Sequence, residues 1–216
     1  MDRDAATRLA ISRLHFPVTT LGPGRRVGIW FQGCSIRCDG CLSLDTWSAG
    51  ADDQWVSVQA LVGWMVEQAA SEADGVTISG GEPFDQPDGL LPFLRQVRRH
   101  PALEGMEIMA YSGYTLAVLR RRHRAVLDML DAVITGPYVD GSPTTLPWRG
   151  SANQELTLLT DRARARFHDG AAQGLQVSAD GGRVWITGVP RREDLHRLEA
   201  QLAARGVRVE NVSWRL

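Results

Sequence analysis

The run Gly33-Cys34-Ser35-Ile36-Arg37-Cys38-Asp39-Gly40-Cys41 contains every cysteine of this 216-residue chain. Its spacing, C-x3-C-x2-C, gathers three thiols on one short loop. Iron–sulfur cubes of electron-transfer ferredoxins are held by four cysteines. A cube with only three protein ligands leaves one iron open, and an open coordination position is where metal chemistry takes place, as at catalytic zinc. The other uses of three cysteines fit less well. Structural zinc wants four protein ligands at finger-type spacings, and the nearest histidines, His15 and His100, stand at none of them. A disulfide is disfavoured by the odd count and the tight spacing. Inert buried cysteines would not be expected to crowd into eight consecutive residues.

Downstream stands Ser79-Gly80-Gly81-Glu82-Pro83. With the cysteine spacing, it resembles the radical S-adenosylmethionine (SAM) superfamily. The resemblance narrows through Gly22-Pro23-Gly24-Arg25, Ile29-Trp30-Phe31-Gln32-Gly33-Cys34 and Trp47. Gly40 before the last cysteine belongs to the same pattern. So do Tyr111-Ser112-Gly113-Tyr114-Thr115, Ile134-Thr135-Gly136-Pro137-Tyr138 and Arg149-Gly150-Ser151-Ala152-Asn153-Gln154. Together they look like the activating enzymes of anaerobic ribonucleotide reductases. The resemblance implies a 4Fe-4S cluster on Cys34, Cys38 and Cys41, with SAM chelated to the open iron. It implies reductive cleavage of SAM to a 5′-deoxyadenosyl radical, which abstracts a hydrogen atom from a glycine of a glycyl-radical enzyme. An electron donor such as flavodoxin or ferredoxin is implied as well.

The same resemblance aligns the Gly80-Gly81-Glu82-Pro83 segment with the methionine amino group of SAM, with Glu82 helping to fix it. Glycines there let a backbone approach a ligand closely; the alternative is ordinary strand-to-helix punctuation. Tyr111, Ser112 and Thr135 follow later strands, where small polar groups could hold a ribose or carboxylate, or simply cap turns. Arg149 could grip a carboxylate bidentately, and Asn153 lies in the same motif. Surface salt-bridging is the alternative for such an arginine. Arg120-Arg121-Arg122-His123-Arg124 reads as a solvated helical face, because consecutive helical residues point in several directions. Trp30 and Trp47 flank the cysteine loop, where they could exclude water.

The elements that must position these residues alternate between strand and helix. Val27–Phe31, Val76–Ser79, Met106–Tyr111 and Ala132–Thr135 read as buried strands. Ser57–Glu72, with Ser57 as N-cap, Gly89–Arg99 and Leu116–Leu130 read as helices. Such alternation predicts a mainly parallel sheet with the site at the C-terminal strand ends. Through the resemblance, the fold expected is an α/β partial (β/α) barrel of radical SAM type. We expect residues 1–160 to form this core and residues 161–216 a C-terminal extension. That extension reads as a hairpin (Leu175–Ser178 and Val184–Thr187 around a turn at Asp180-Gly181-Gly182), a helix from Arg191 to Arg205 and a last strand from Val207 to Trp214. It is packed on the core or completes it, whether by extending the sheet or as a docking module.

The net charge is −1 and all 24 basic residues are arginine. That balance argues for neither nucleic acid nor an anionic membrane surface as partner. No apolar run has transmembrane length, and Met1-Asp2-Arg3-Asp4 begins no signal peptide. Reduced cysteines point to the cytoplasm. Two further functions stay open: a radical enzyme modifying a peptide or small molecule, and a non-catalytic iron–sulfur binding or sensor protein.

Overall fold

A computed structural model of the chain describes residues 7–168, 174–180, 183–190, 192–207, 210 and 212–213. Its centre is a seven-stranded sheet of strands β1 (Arg8–Val18), β2 (Arg26–Phe31), β3 (Trp55–Ser57), β4 (Gly75–Gly80), β5 (Glu107–Ser112), β6 (Ala132–Thr135) and β7 (Glu155–Leu158). The spatial order is β3-β1-β2-β4-β5-β6-β7. β2, β4, β5 and β6 run parallel, whereas β1, β3 and β7 join antiparallel at the two sides. The mainly parallel sheet of the sequence reading is present. Among the described residues β3 and β7 lie at opposite ends of the strand order and do not pair, so the sheet is open and forms no closed barrel. β1, β3 and β7 are additions the sequence reading lacked.

Parallel strands covered on both faces read as continuous apolar runs, and β2 is buried along its whole length. The helices α1 (Val58–Ala69) and α2 (Pro87–Arg99) cover one face. There Leu61 and Met65 of α1 and Phe93 and Leu94 of α2 meet Val27, Ile29, Val76, Ile78 and Ile108 in the main core. Ser57 caps α1 by accepting from the Ala60 N–H at 3.1 Å. The helix expected over residues 116–130 is instead broken into α3 (Leu116–Arg122) and α4 (Arg124–Leu127). The break falls at His123, whose ring leaves the helical course to lie 5.5 Å from Phe84 and 6.2 Å from Tyr114.

Alternate residues of the parallel strands face the other way. At the N-terminal end of that second face, Arg26, Gly75 and Glu107 stand in register on three neighbouring strands. Gly75 has to be a glycine, because a Cβ would lie 2.7 Å from the Arg26 guanidinium that crosses it. Arg26 Nη1 reaches Glu107 Oε1 at 2.9 Å, and both side chains are fully buried. Arg26 also donates to the Thr77 hydroxyl and to the carbonyls of Val76 and Pro23. Burial pushes Arg26 down and Glu107 up, each opposed by attraction to the other. Helix α5 (Asp161–Arg166) adds Arg166, whose Nη2 lies 3.2 Å from Asp74. Ala163 and Phe167 then pack with Trp148, Met109 and Ile134. The start of the expected extension therefore lies against the core.

Beyond it, β8 (Leu175–Asp180) and β9 (Arg183–Gly188) form a separate antiparallel hairpin, followed by α6 (Arg192–Ala204). The hairpin and helix agree with the sequence reading, but among the described residues the hairpin does not extend the main sheet. Gly181 and Gly182 of the expected turn, and much of the expected last strand from Val207 to Trp214, lie outside the described residues.

Removing one partner of a buried ion pair strands the other and costs about 3–5 kcal/mol. Glu107→Ala is therefore expected to lower the unfolding free energy by about that amount in urea melts. A change under about 1 kcal/mol would contradict the role given to this pair.

Candidate functional site

The C-terminal ends of β2, β4, β5 and β6 lie along one edge of the sheet, and nearly every residue singled out from sequence sits there. β2 runs directly into the cysteine loop. Gln32, 4% exposed, closes that loop by donating to the carbonyls of Asp45 at 3.0 Å and Ser48 at 2.9 Å. Gly33 N–H donates to the Thr46 carbonyl at 2.8 Å. Cys34, Cys38 and Cys41 are half-buried and free of disulfides.

Each thiol's surroundings bear on what it could hold. Burial pushes the Cys34 thiol up, opposed by the backbone N–H groups of Arg37 and Ile36. Burial also raises Cys38, opposed by the backbone N–H of Tyr138, while Cys41 and Cys34 raise it further. Ser43 N–H lies 3.4 Å from the Cys41 sulfur. Backbone donors aimed at the sulfurs are what a cluster's thiolates use, and bound metal deprotonates a coordinating thiol outright. Among the described residues no three His, Cys, Asp or Glu side chains converge on a single metal ion. The donor set nevertheless fits a cube, in which each thiol would take a different iron.

The Gly-Gly-Glu segment is locked to this loop through the backbone. Gly81 N–H donates to the Phe31 carbonyl at 2.8 Å, and Glu82 N–H to the Gly33 carbonyl at 2.9 Å. A Cβ on Gly81 would lie 2.1 Å from the Gly33 oxygen. The close approach that needs a glycine is thus to the protein's own cysteine loop. Gly80 ends β4 in register with Phe31. Pro83 is buried and begins a short 3-10 helix.

Glu82 is 1% exposed and ties β4 to β5. Its Oε2 accepts from the Gly113 N–H at 2.7 Å, and its Oε1 from the Ser112 hydroxyl at 2.9 Å and the Phe84 N–H at 3.1 Å. Burial pushes this carboxyl up to about 7 against the pull of those donors. The Ser112 hydroxyl also accepts from the Tyr114 N–H at 3.1 Å, so it serves Glu82 and the turn rather than standing open for a ribose. Thr135 is buried at the end of β6, in register with Ser112. The Tyr111 phenol donates to the Trp148 carbonyl at 2.8 Å, and burial pushes it up. Arg149 follows Trp148 and is half-buried, close enough for its charge to act on Tyr111. Asn153 braces the protein internally, its amide donating to the Pro137 carbonyl at 2.8 Å. Gln154 binds the Gly150 N–H and the Gly136 carbonyl, folding the Arg149–Gln154 motif against the loop after β6.

Sequence reasoning missed a second brace. Asp85 accepts from the Ser35 N–H at 2.8 Å, the Ser35 hydroxyl at 3.0 Å and the Tyr114 phenol at 2.8 Å. It pins the segment between Cys34 and Cys38 to the chain after Glu82. Gln86 works alongside it, bonding both backbone groups of Ala10 and the Gln32 carbonyl. Ile36 of the cysteine loop rests on Gly113, where a Cβ would lie 2.9 Å from it.

An open α/β sheet with three thiols at its C-terminal edge defines the class of a single-cluster iron–sulfur protein. Residues 20–157 match the family described as "4Fe-4S single cluster domain". The chain is 32% identical over 148 residues to the anaerobic ribonucleoside-triphosphate reductase-activating protein of Haemophilus influenzae, covering 65% of this chain and 92% of that protein. The protein of the same name from Vibrio cholerae is 29% identical over 150 residues, 68% of this chain and 96% of its own. The one from Enterobacteria phage T4 is 29% identical over 145 residues, 65% of this chain and 88% of its own. The chain belongs to the family of 4Fe-4S single cluster domain proteins that includes these activating proteins.

Glu82→Gln would turn an amide N–H toward the Gly113 N–H, and leaving a buried donor unpaired costs about 1–3 kcal/mol. The folded-state value of about 7 exceeds the ordinary 4.5. The carboxyl's stabilising contribution is therefore fully present below about 4.5 and lost as pH rises to about 7. Urea melts at stepped pH should show the wild-type advantage over the glutamine variant shrinking across that window. An advantage that widens would contradict the burial of this group.

Proposed function

We propose that this protein is a radical SAM activating enzyme for an anaerobic ribonucleoside-triphosphate reductase. The observation that carries the reading is the backbone lock between the cysteine loop and Gly81-Glu82, within a chain whose relatives bear the activating-protein name. Cys34, Cys38 and Cys41 would hold the 4Fe-4S cluster, and a trio of protein ligands would leave one iron open to SAM. When bound, the cluster supplies the electron that splits the SAM sulfonium into methionine and a 5′-deoxyadenosyl radical. That radical takes a hydrogen atom from a glycine of the reductase, giving 5′-deoxyadenosine and a glycyl radical.

The chain's own residues bind, orient and exclude water. The backbone of Gly80 and Gly81 receives the methionine amino group, on a segment that Pro83 helps turn and Glu82 holds rigid. Tyr111, Ser112 and Thr135 line the strand ends beside it, and Arg149 supplies a positive charge for the SAM carboxylate. Asn153 acts through the loop it braces. Trp30 and Trp47 screen the loop from water. A reducing partner of the flavodoxin or ferredoxin type delivers the electron, and the thiols' need to stay reduced places the protein in the cytoplasm. No helix among the described residues is long and apolar enough to cross a membrane. Residues 1–160 carry the chemistry and 161–216 form the extension.

One observation favours a second reading, a radical SAM enzyme modifying some other peptide or small molecule. The relative from Haemophilus influenzae is covered over 92% of its length by only 65% of this chain, so the remainder is free to serve a different substrate.

Anaerobically reconstituted protein, given SAM and a strong reductant, should form 5′-deoxyadenosine. Cys38→Ala should lose both the iron–sulfur absorption and this product. Persistence of cleavage in the variant would overturn the cluster assignment. Deuterium carried from a glycine-labelled reductase into 5′-deoxyadenosine distinguishes the first reading from the second.

A further inference from the structure

The loop after β6 reaches the cysteine loop through a backbone group: the Tyr138 N–H is hydrogen-bonded to the Cys38 sulfur. Backbone donors to the other two sulfurs are local. Ile36 and Arg37 serve Cys34, and the Ser43 N–H lies 3.4 Å from the Cys41 sulfur. Those donors travel with the cysteine loop wherever it goes. Tyr138 does not, because it follows β6, which β4 and β5 separate from β2 in the sheet. Its place against Cys38 has to be set from elsewhere in the fold.

The Gly150–Gln154 stretch sets it by gripping the backbone on both sides of Tyr138. Before the tyrosine, the Gln154 amide donates to the Gly136 carbonyl at 3.1 Å and the Asn153 amide to the Pro137 carbonyl at 2.8 Å. After it, the Val139 N–H donates to the Ser151 hydroxyl at 3.1 Å. Ser151 is fully buried, so water does not compete for that bond. The tyrosine ring rests on Gly150, where a Cβ would lie 3.1 Å from its Cδ2. From the other side the Gly136 N–H donates to the Tyr114 carbonyl at 2.9 Å. The Tyr114 phenol in turn bonds Asp85 and lies 3.1 Å from the Ser35 hydroxyl of the cysteine loop. The donors of Gly136–Val139 can be accounted for one by one. Pro137 has no N–H, and those of Gly136 and Val139 are committed to Tyr114 and Ser151. The Tyr138 N–H is the donor left over, and it goes to the sulfur.

We propose that Ser151, Asn153 and Gln154 are positioning residues for the cluster: they hold the Tyr138 N–H on the Cys38 sulfur and so help set the potential at which the site takes up its electron. Reduction adds negative charge to a cluster. A donor on a thiolate sulfur stabilises the reduced form more than the oxidised one, and hydrogen bonds to the sulfurs are among the determinants of cluster potential. Groups that orient a metal ligand from behind commonly tune the metal as well. This gives the Arg149–Gln154 motif a task at a distance: its side chains touch no cysteine, yet they fix the one backbone donor that crosses from β6 to the cysteine loop. The inference rests on the cluster reading, since it needs iron on Cys38.

The test uses the full chain, reconstituted anaerobically and reduced, with nitrogen-15 placed only in its three tyrosines. Hyperfine sublevel correlation spectroscopy of the reduced cluster should show a nitrogen-15 coupling. Tyr138→Phe, which keeps the N–H but removes the label, should lose it. Ser151→Ala and, separately, Asn153→Ala should weaken the coupling. Each should also lower the ratio of reduced to oxidised cluster at a fixed applied potential by about three- to tenfold, the range one hydrogen bond commands. Asn153 is exposed, so its variant decides this arm if the buried Ser151 variant does not fold. Thr160→Ala is the structural control. It removes the cap of α5 and the bond to Asp131 at the other end of β6, and should lower the thermal midpoint while leaving the ratio unchanged. Three results would overturn the inference and leave the cluster reading standing. These are cluster-bearing wild type without a nitrogen-15 coupling, a coupling that survives Tyr138→Phe, and a ratio that Thr160→Ala moves as far as Asn153→Ala does. Protein that retains no iron overturns both.

Discussion

The carboxylate of Glu82 is the knot at the working edge of this sheet. It is buried at the end of β4 and takes three donors from β5 and from its own short helix. Its backbone N–H meanwhile holds the Gly33 carbonyl at the mouth of the cysteine loop. Removing a carboxylate from water is expensive unless its oxygens are bonded, and this one is bonded only when the ends of β4 and β5 are in place. Its burial cost and its three bonds thus make one geometry favourable and penalise partial ones. Asp85, three residues on, repeats the arrangement on the outer side of the loop through Ser35 and Tyr114.

The opposite end of the strands is closed by a different device. Arg26 and Glu107 meet across Gly75 with no solvent exposure, and Thr77 relays the guanidinium to the Leu21 carbonyl. A buried ion pair of this kind is weak as a source of net stability but severe toward alternatives, since any register slip strands two charges. Polar groups thus stand at both ends of the parallel strands, with apolar contacts between them. Such a frame suits a site whose proposed intermediate is a radical: the parts that would hold cluster and SAM are braced from two sides rather than left to mobile loops.

What the sequence disclosed follows from where each signal resides. β2, β4, β5 and β6 were legible because strands buried on both faces leave unbroken apolar runs. β1 was not, since Arg8, Arg13 and His15 interrupt it, and neither was β7, whose residues are exposed or half-buried rather than a buried apolar run. The expected helix over residues 116–130 ignored His123, whose place beside Phe84 and Tyr114 is a tertiary matter. At the site, the cysteines and the Gly-Gly-Glu segment carry their chemistry in local spacing. Asp85 and Gln32 bond partners up to 50 residues away, and no local pattern announces that. By its type Ser112 could hold a ligand or cap a turn, and its hydrogen bonds to Glu82 and Tyr114 are distant and local contacts that the sequence alone could not rank. The fold class was legible; the flanking antiparallel strands were not, because their pairing is settled by distant neighbours rather than by local pattern.

The central claim is that three thiols leave one iron of the cube without a protein ligand. Mössbauer spectroscopy of oxygen-free, iron-57-reconstituted protein, recorded with and without SAM, tests it most directly. The account predicts a 4Fe-4S cluster in which one iron site shifts on adding SAM while the other three do not. Four irons that ignore SAM, or protein that retains no cluster, would contradict it.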